Sequence, residues 1–449
     1  MIKYSRKVVN KMNKTEPKTL SGFMELFPQE QLMFNKMKDI IIETYKSYGY
    51  YPLDTPVIEY SEVLLAKAGG ETEKQIYRFE KGDNDLSLRF DLTVPLAKYV
   101  AKRWGELVFP FKRYQVGKVF RGERPQKGRF REFYQCDIDV IGDETLSLKY
   151  DSEMVSIIND IFTKLNFGKF VIRINNRKIL GGFFEGLGLN DKITDILRIV
   201  DKLEKIGVEE VKKELNDLGI NNDSVNKIIN FISLNGSTDE ILKALKNNYS
   251  DNELFNTGVS ELESVIEDLE SRRIPKTNYS IDLTIARGLD YYTGTVYETK
   301  LVDYPGIGSI CSGGRYENLA EFYTDKKLPG VGISIGLTRL FYQLLESGII
   351  KVEEESSSDI MILPMCDNYK YIYEVDNILK SSGISTNICY IEKGFKQKIR
   401  YADRLKNKYV IIIGDDEVNN NNIVLKNMID GNQLTISKND LINIDKMIK

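Results

Sequence analysis

Between Arg129 and Val140 the side chains alternate in character, a pattern that fits a strand with two unlike faces. One face would carry Phe130, Tyr134, Cys136, Ile138 and Val140, an apolar core face interrupted by Glu132. The other would carry Arg129, Arg131, Phe133, Gln135, Asp137 and Asp139. Burying that second face without a ligand is costly. It is suited to holding an anionic nucleotide by its phosphates, stacking its base, and gripping a cationic or amine substrate. A solvated outer face is the plainer alternative. The single Phe among the charges and the arginine-rich loop before it favour binding.

The rest of the chain sets this strand in an α+β fold. Residues 29–48 have helical spacing (Met33, Met37, Ile40, Ile41, Tyr45, Tyr48) and stop at Gly49. Segments 86–90, 110–121 and 129–141 predict strands, and 151–165 predicts a helix ending near Gly168. Strands resume at 280–287 and 294–302, with a helix at 334–346. No strand–helix alternation with a phosphate-binding glycine loop is present, which argues against a Rossmann or P-loop enzyme. An antiparallel sheet flanked by helices fits better.

At 449 residues the chain exceeds what one core supports. A polar tail covers 1–20 and a sheet domain 21–350. Residues of about 190–272 are helical, charged and poor in glycine, as a separate helical module inserted there would be. The run Glu353–Ser358 marks a linker over 351–358. Apolar runs at 359–364, 385–391 and 409–414 predict a compact α/β domain over 359–449.

Composition narrows the chemistry. There is no histidine, which removes the commonest general base and metal ligand together. Catalysis must then rest on carboxylates, arginines, tyrosines and a hard cation. Cys136, Cys311, Cys366 and Cys389 have no CxxC spacing, against a disulfide framework or a cysteine-rich zinc site. No fixed metal site is predicted. No apolar run is long enough to span a bilayer, and the N-terminus lacks a secretory h-region. Glu16 and scarce arginine argue against an organellar presequence, so a cytoplasmic location is expected. The net charge of −3 hides two basic stretches. The first, Lys98 to Arg131, is opposed only by Glu106, Glu123 and the adjoining Glu132. The second comprises Lys393, Lys396, Lys398, Arg400, Arg404, Lys406 and Lys408. Two separated patches suit a long polyanion.

Several segments carry a closer resemblance. FRGERPQKGRFREFYQCDIDVIG (120–142) resembles motif 2 of histidyl-tRNA synthetases, TPVIEYSEVL (55–64) motif 1, and GVGISIGLTRL (330–340) motif 3. ARGLDYYTGTVYE (286–298) and SGGRYENL (312–319) resemble stretches specific to the histidine family. The likeness runs from Gly22 to the C-terminus, whose segment 393–417 is similar to the family's anticodon-binding domain. It implies a class II fold and a histidine–tRNA ligase using ATP with Mg²⁺. Motif 1 implies a homodimer.

The same resemblance implies residue roles. Arg121 and Arg339 would clamp the ATP phosphates, with Arg129 in the same nucleotide site. Glu123 would meet the adenine amino group and Phe133 would stack under the ring. Asp91, Thr93 and Gln135 would hold the α-ammonium of histidine. Asp139 and Tyr292 would bracket the imidazole, with Tyr291 beside them. Arg287 would face the α-phosphate and, with Arg121, carry the chemistry. Gly313 and Gly314 would serve as turns or let the backbone approach the ligand. Two departures stand out: Met24 replaces an arginine, and Thr338 takes an often acidic position. Two alternatives are a synthetase-like regulatory subunit of ATP phosphoribosyltransferase and a non-catalytic tRNA-binding sensor. The intact RGLDYY and full tail weigh against the first, and the complete pocket and lack of kinase motifs against the second.

Overall fold

A computed structural model describes residues 15–66, 71–124, 128–248, 252–285, 292–317, 320–352 and 355–448. Its strands up to residue 336 are β1 (Tyr51–Pro52), β2 (Ile58–Tyr60), β3 (Arg78–Lys81), β4 (Asn84–Leu88), β5 (Phe111–Phe120), β6 (Glu132–Ile141), β7 (Phe170–Asn176), β8 (Tyr279–Ile281), β9 (Thr295–Leu301), β10 (Ser309–Tyr316) and β11 (Gly330–Gly336). Among the described residues they form an eight-stranded sheet, β1-β5-β6-β11-β10-β9-β7-β8, and a small sheet, β2-β4-β3. The long hairpin β5–β6 is antiparallel, and β11 pairs antiparallel on the other side of β6.

The two faces of β6 differ as the alternation requires. Cys136, Ile138 and Val140 are fully buried. The Tyr45 hydroxyl, from helix Pro28–Ser47, donates to the Cys136 carbonyl at 2.9 Å. Helix Lys149–Leu165 packs on β7, β10 and β11 and buries Met154, Ile157, Ile158 and Ile161 completely. Each such side chain contributes roughly 1.5–3 kcal/mol of hydrophobic stabilisation. Asn166, in the left-handed region at φ 51°, ends that helix, and its N–H returns to the Phe162 carbonyl. The sheet's other face is polar.

Several boundaries differ from the sequence reading. β6 begins at Glu132, so Arg129 and Arg131 lie outside the strand. Arg131 instead donates from its backbone to Gly22 and from Nε to the Glu123 carbonyl. The helix expected at 334–346 is a strand to Gly336 and a helix only from Leu337 to Glu346. There Val331, Ile333 and Ile335 alternate with small residues, which suits a strand paired on both sides. The strand expected at 280–287 is only Tyr279–Ile281 among the described residues. Helix Arg177–Gly186 was missed. Within the inserted helices, the last one, Glu253–Ser271, packs back on helices Lys149–Leu165 and Arg177–Gly186 rather than standing apart.

A second compact unit comprises Leu26–Lys36 and Lys351–Lys449. Its sheet contains β12 (Ile360–Pro364), β13 (Thr386–Ile388), β14 (Tyr409–Ile413), β15 (Asn422–Asn427) and β16 (Gln433–Ser437), ordered β13-β12-β14-β15-β16. β12 runs parallel to both neighbours and is buried throughout, as a central parallel strand should be. The basic stretch is less uniform than its sequence suggests. Lys398 is buried and donates to the Pro364 carbonyl, while the other six cations are exposed.

No described helix is long and apolar enough to cross a membrane.

Candidate active site

Strand register builds the polar face in rows. Arg113, Asp139, Gly332 and Gly314 align across β5, β6, β11 and β10. Gln115, Asp137, Ser334 and Ser312 form the next row, and Gly117, Gln135 and Gly336 a third. Because cross-strand partners share a face, the acids, the arginine and the amide lie on one floor.

Arg113 and Asp139 form a buried ion pair, Nη2 to Oδ2 at 2.7 Å. Asp139 Oδ1 accepts from the Tyr316 hydroxyl at 3.0 Å. Burial pushes the Asp139 carboxyl up, while Arg113 and then Tyr316 oppose the rise. Arg113 Nη2 also donates to the Leu92 carbonyl at 3.2 Å, but Nε and Nη1 have no hydrogen-bond partner among the described residues. Burial lifts Asp137 to about 7 against the pull of Arg113, with Asp139 adding to the rise. Ser334 Oγ donates to Asp137 Oδ1 at 2.5 Å and accepts from Gln135 Nε2 at 2.7 Å. Gln135 Oε1 is buried without a partner. A buried acceptor left unpaired by the protein has room for a donor from outside it.

Asp91 is also buried. Its Oδ1 accepts from the backbone N–H groups of Thr93 and Val94 at 3.1 and 2.9 Å, at the start of helix Thr93–Arg103. Burial raises the Asp91 pKa, against those two N–H groups and the charges of Arg121 and Arg113. Half-buried Tyr292 packs against the cluster that contains Leu96 and Tyr316.

A second set lies around the start of the motif 2 loop. The Arg121 guanidinium sits 4.3 Å from the Phe90 ring centroid and 5.1 Å from that of Phe133, in cation–π range. Its Nε donates to the Phe90 carbonyl at 3.2 Å. Glu123 Oε2 pairs with Arg129 Nη1 at 3.3 Å. Partial burial and then the like charge of Arg129 push the Arg339 guanidinium down, and Glu123 opposes them. Arg339 Nη2 donates to the Ile307 carbonyl at 3.4 Å. The structure thus gathers Arg113, Gln135, Asp137 and Asp139 in one set and Glu123, Arg129 and Arg339 in another, with Arg121 acting on Asp91. Arg287 and Tyr291 lie outside the described residues.

Tyr316 and Ser334 were not singled out from sequence, and Arg113 was counted only within the basic stretch that suits a polyanion. Strand parity across β5, β6, β11 and β10 was the signal that could have found them. The first basic stretch is accordingly more neutralised than it looked. Lys98 pairs with Glu59, Lys112 with Glu153, and Arg113 with Asp139. Gly313 and Gly314 are in β10, not in a turn. A Cβ on Gly313 would stand 2.1 Å from the Gly332 carbonyl, and one on Gly314 2.9 Å from the Tyr292 ring. Thr338 is buried, and its hydroxyl accepts from the Tyr134 N–H at 2.8 Å.

A Cβ on Gly332 would stand 2.1 Å from Asp139 Oδ1. It would also stand 2.6 Å from the Ile138 backbone carbonyl, so Gly332→Ala must shift both the carboxylate and the β6–β11 pairing, and kcat/KM should fall by about a hundredfold, the scale of a 1 Å misplacement. Steady-state kinetics with each substrate varied in turn check this. An unchanged kcat/KM would contradict it.

Residues 22–340 match the family described as Histidyl-tRNA synthetase, and residues 359–446 match Anticodon binding domain. A histidine–tRNA ligase from Clostridium tetani is 56% identical over 96% of this chain and 98% of its own. A histidyl-tRNA synthetase structure from Nostoc sp. PCC 7120 superposes with a TM-score of 0.88 at 42% identity, covering 97% of this chain and all of that one. An ATP phosphoribosyltransferase regulatory subunit/histidyl-tRNA synthetase from Bacillus halodurans shares the fold, with a TM-score of 0.71 at 20% identity over 85% of this chain and 96% of its own.

Proposed function

The chain belongs to the histidyl-tRNA synthetase family, and from this we infer that it is a histidine–tRNA ligase. It activates L-histidine with ATP to histidyl-adenylate and pyrophosphate, then transfers histidine to the 3′ end of its tRNA. The observation that carries the pocket reading is the unpaired, buried Gln135 Oε1 beside Asp137 and Asp139. Such a floor favours a ligand that brings positively charged N–H donors.

In this reading Asp91, Thr93 and Gln135 receive the α-ammonium. Asp139 and Tyr292, with Tyr291, face the imidazole. Asp139 accepts from Arg113 and Tyr316, and a carboxylate has acceptor capacity left for a third donor. A site whose buried groups need pairing rejects amino acids that leave them bare. Phe133 stacks on adenine, Glu123 meets its amino group, and Arg121, Arg129 and Arg339 take the phosphates. ATP enters with Mg²⁺ as its counter-ion.

The histidine carboxylate attacks the α-phosphorus and pyrophosphate leaves. That nucleophile is already anionic, so the activation step needs no general base in a chain without histidine. What its residues must supply is position and stabilisation of phosphoryl charge, Arg287 at the α-phosphate above all. The C-terminal domain reads the anticodon, where unpaired bases offer their edges. The exposed cations between Lys393 and Lys408 meet the RNA backbone. The inserted helices touch the acceptor stem. The enzyme works as a homodimer in the cytoplasm.

Histidine-dependent exchange of pyrophosphate into ATP is the direct test. The wild-type chain should catalyse it and should charge tRNA. Histidine binding without exchange would instead describe a regulatory subunit, and tRNA binding without exchange a sensor.

A further inference from the structure

Gln135 can face the pocket with either end of its amide, and only one end suits a cationic amine. Its neighbours decide which. Ser334 Oγ lies 2.5 Å from Asp137 Oδ1 and 2.7 Å from Gln135 Nε2. An ionised carboxylate only accepts, so the one hydroxyl proton of Ser334 goes to Asp137. Ser334 can then only accept from Gln135, which requires the NH₂ end. The carbonyl end, Oε1, is left buried and open to a ligand. We propose that Ser334 and Asp137 are positioning residues that fix the Gln135 amide with its acceptor toward the α-ammonium of histidine. This rests on the reading of Gln135 as an ammonium ligand.

Strand pairing supports the relay. Ser334 is the cross-strand partner of Asp137, and Gln135 lies two residues along on the same face. All three are thus held by the central strands β6 and β11.

The relay is also sensitive to protons. A protonated Asp137 can donate to Ser334, freeing the serine proton to point at Gln135 and favouring the flipped amide. NH₂ would then meet the ammonium, donor against donor. The groups acting on Asp137 are Arg113 from β5, Asp139 on its own strand, Ser334 from β11, and Arg89 and Asp91 from the segment before helix Thr93–Arg103. Cys136 beside it, Cys311 from β10 and Tyr45 from helix Pro28–Ser47 feel its charge. Burial sets its midpoint at about 7. The amide is therefore held correctly above that midpoint and released below it.

Pyrophosphate exchange with the full chain tests this. Ser334→Ala should raise the histidine KM about tenfold, as losing a hydrogen bond to a charged group does. The ATP KM and kcat should change little, and Ser334→Thr, which keeps the hydroxyl, should recover most of the loss. Asp137→Asn mimics the protonated acid. Its histidine KM should match wild type below the midpoint and exceed it above, a comparison in which titration of the substrate imidazole cancels. Curves parallel or identical at every pH would overturn the relay, as would Ser334→Ala with an unchanged histidine KM. Gln135→Ala separates the two levels. If it leaves the histidine KM unchanged, the ammonium-ligand reading fails. If it raises that KM while the Ser334 and Asp137 variants do nothing, only the relay fails.

Discussion

Arg287→Ala lowers the kcat of histidine-dependent pyrophosphate exchange by about a hundred- to a thousandfold, the range seen when a preorganised donor to developing charge is removed. The expectation comes from the reaction. Attack on the α-phosphorus builds charge on phosphoryl oxygens, and no proton has to be removed from the nucleophile. The chain's help must therefore be electrostatic, and a guanidinium supplies it in fixed geometry. Arg287 lies outside the described residues, so its assignment stands on the segment ARGLDYYTGTVYE and on this chemistry. Substrate KM values should move far less than kcat, because the contact matures in the transition state. Arg287→Lys should recover part of the rate. Exchange by Arg287→Ala at close to the wild-type rate would hand the role to another group.

Arg113→Leu destabilises the sheet unit by about 3–5 kcal/mol, the cost of breaking a buried pair from one side. Arg113 and Asp139 are both buried, 2.7 Å apart. Without the guanidinium, Asp139 keeps Tyr316 but faces no cation across its other oxygen, and must take up a proton or stay charged while buried beside other carboxylates. Adding Asp139→Asn should return part of the lost stability, since a neutral amide costs less to bury. Urea denaturation followed by a probe in this unit measures both. An unchanged midpoint for Arg113→Leu would mean that the pair contributes nothing. The double variant should nonetheless lose histidine activation, which separates folding from recognition.

Half of the eight-stranded sheet was legible in sequence: β5, β6, β8 and β9 were expected and β1, β7, β10 and β11 were not, and the two unlike faces of β6 gave the clearest signal. Cys136, Ile138 and Val140 are in the core, and Gln135, Asp137 and Asp139 share the opposite face. That opposite face is buried at these three positions rather than solvated, so the plainer alternative does not hold for them. The start of the strand was misplaced because Arg129 and Arg131 continue the alternation in side-chain type while their backbone does not pair in β6. The segment 330–336 was missed as a strand although its apolar residues alternate, because glycine is a weak strand former and the helical pattern after Leu337 was extended back to 334. Arg113 was misjudged for a different reason. Its partner Asp139 is far off in sequence, and a count of neighbouring charges cannot see across a hairpin. Ser334 shows the same limit, since its importance lies wholly in cross-strand register.

The two sets of site residues are anchored differently, and that has a consequence for how the molecule breathes. Gln135, Asp137, Asp139 and Ser334 stand on interior strands, whose amides are freed only when the whole unit opens. Glu123 and Arg129 sit outside any strand, and Arg121 lies just beyond the end of β5. The part we propose to tell one amino acid from another is thereby fixed in the slowest-exchanging region. The part proposed to meet the phosphates can relax and re-form many times while the first set stays in place.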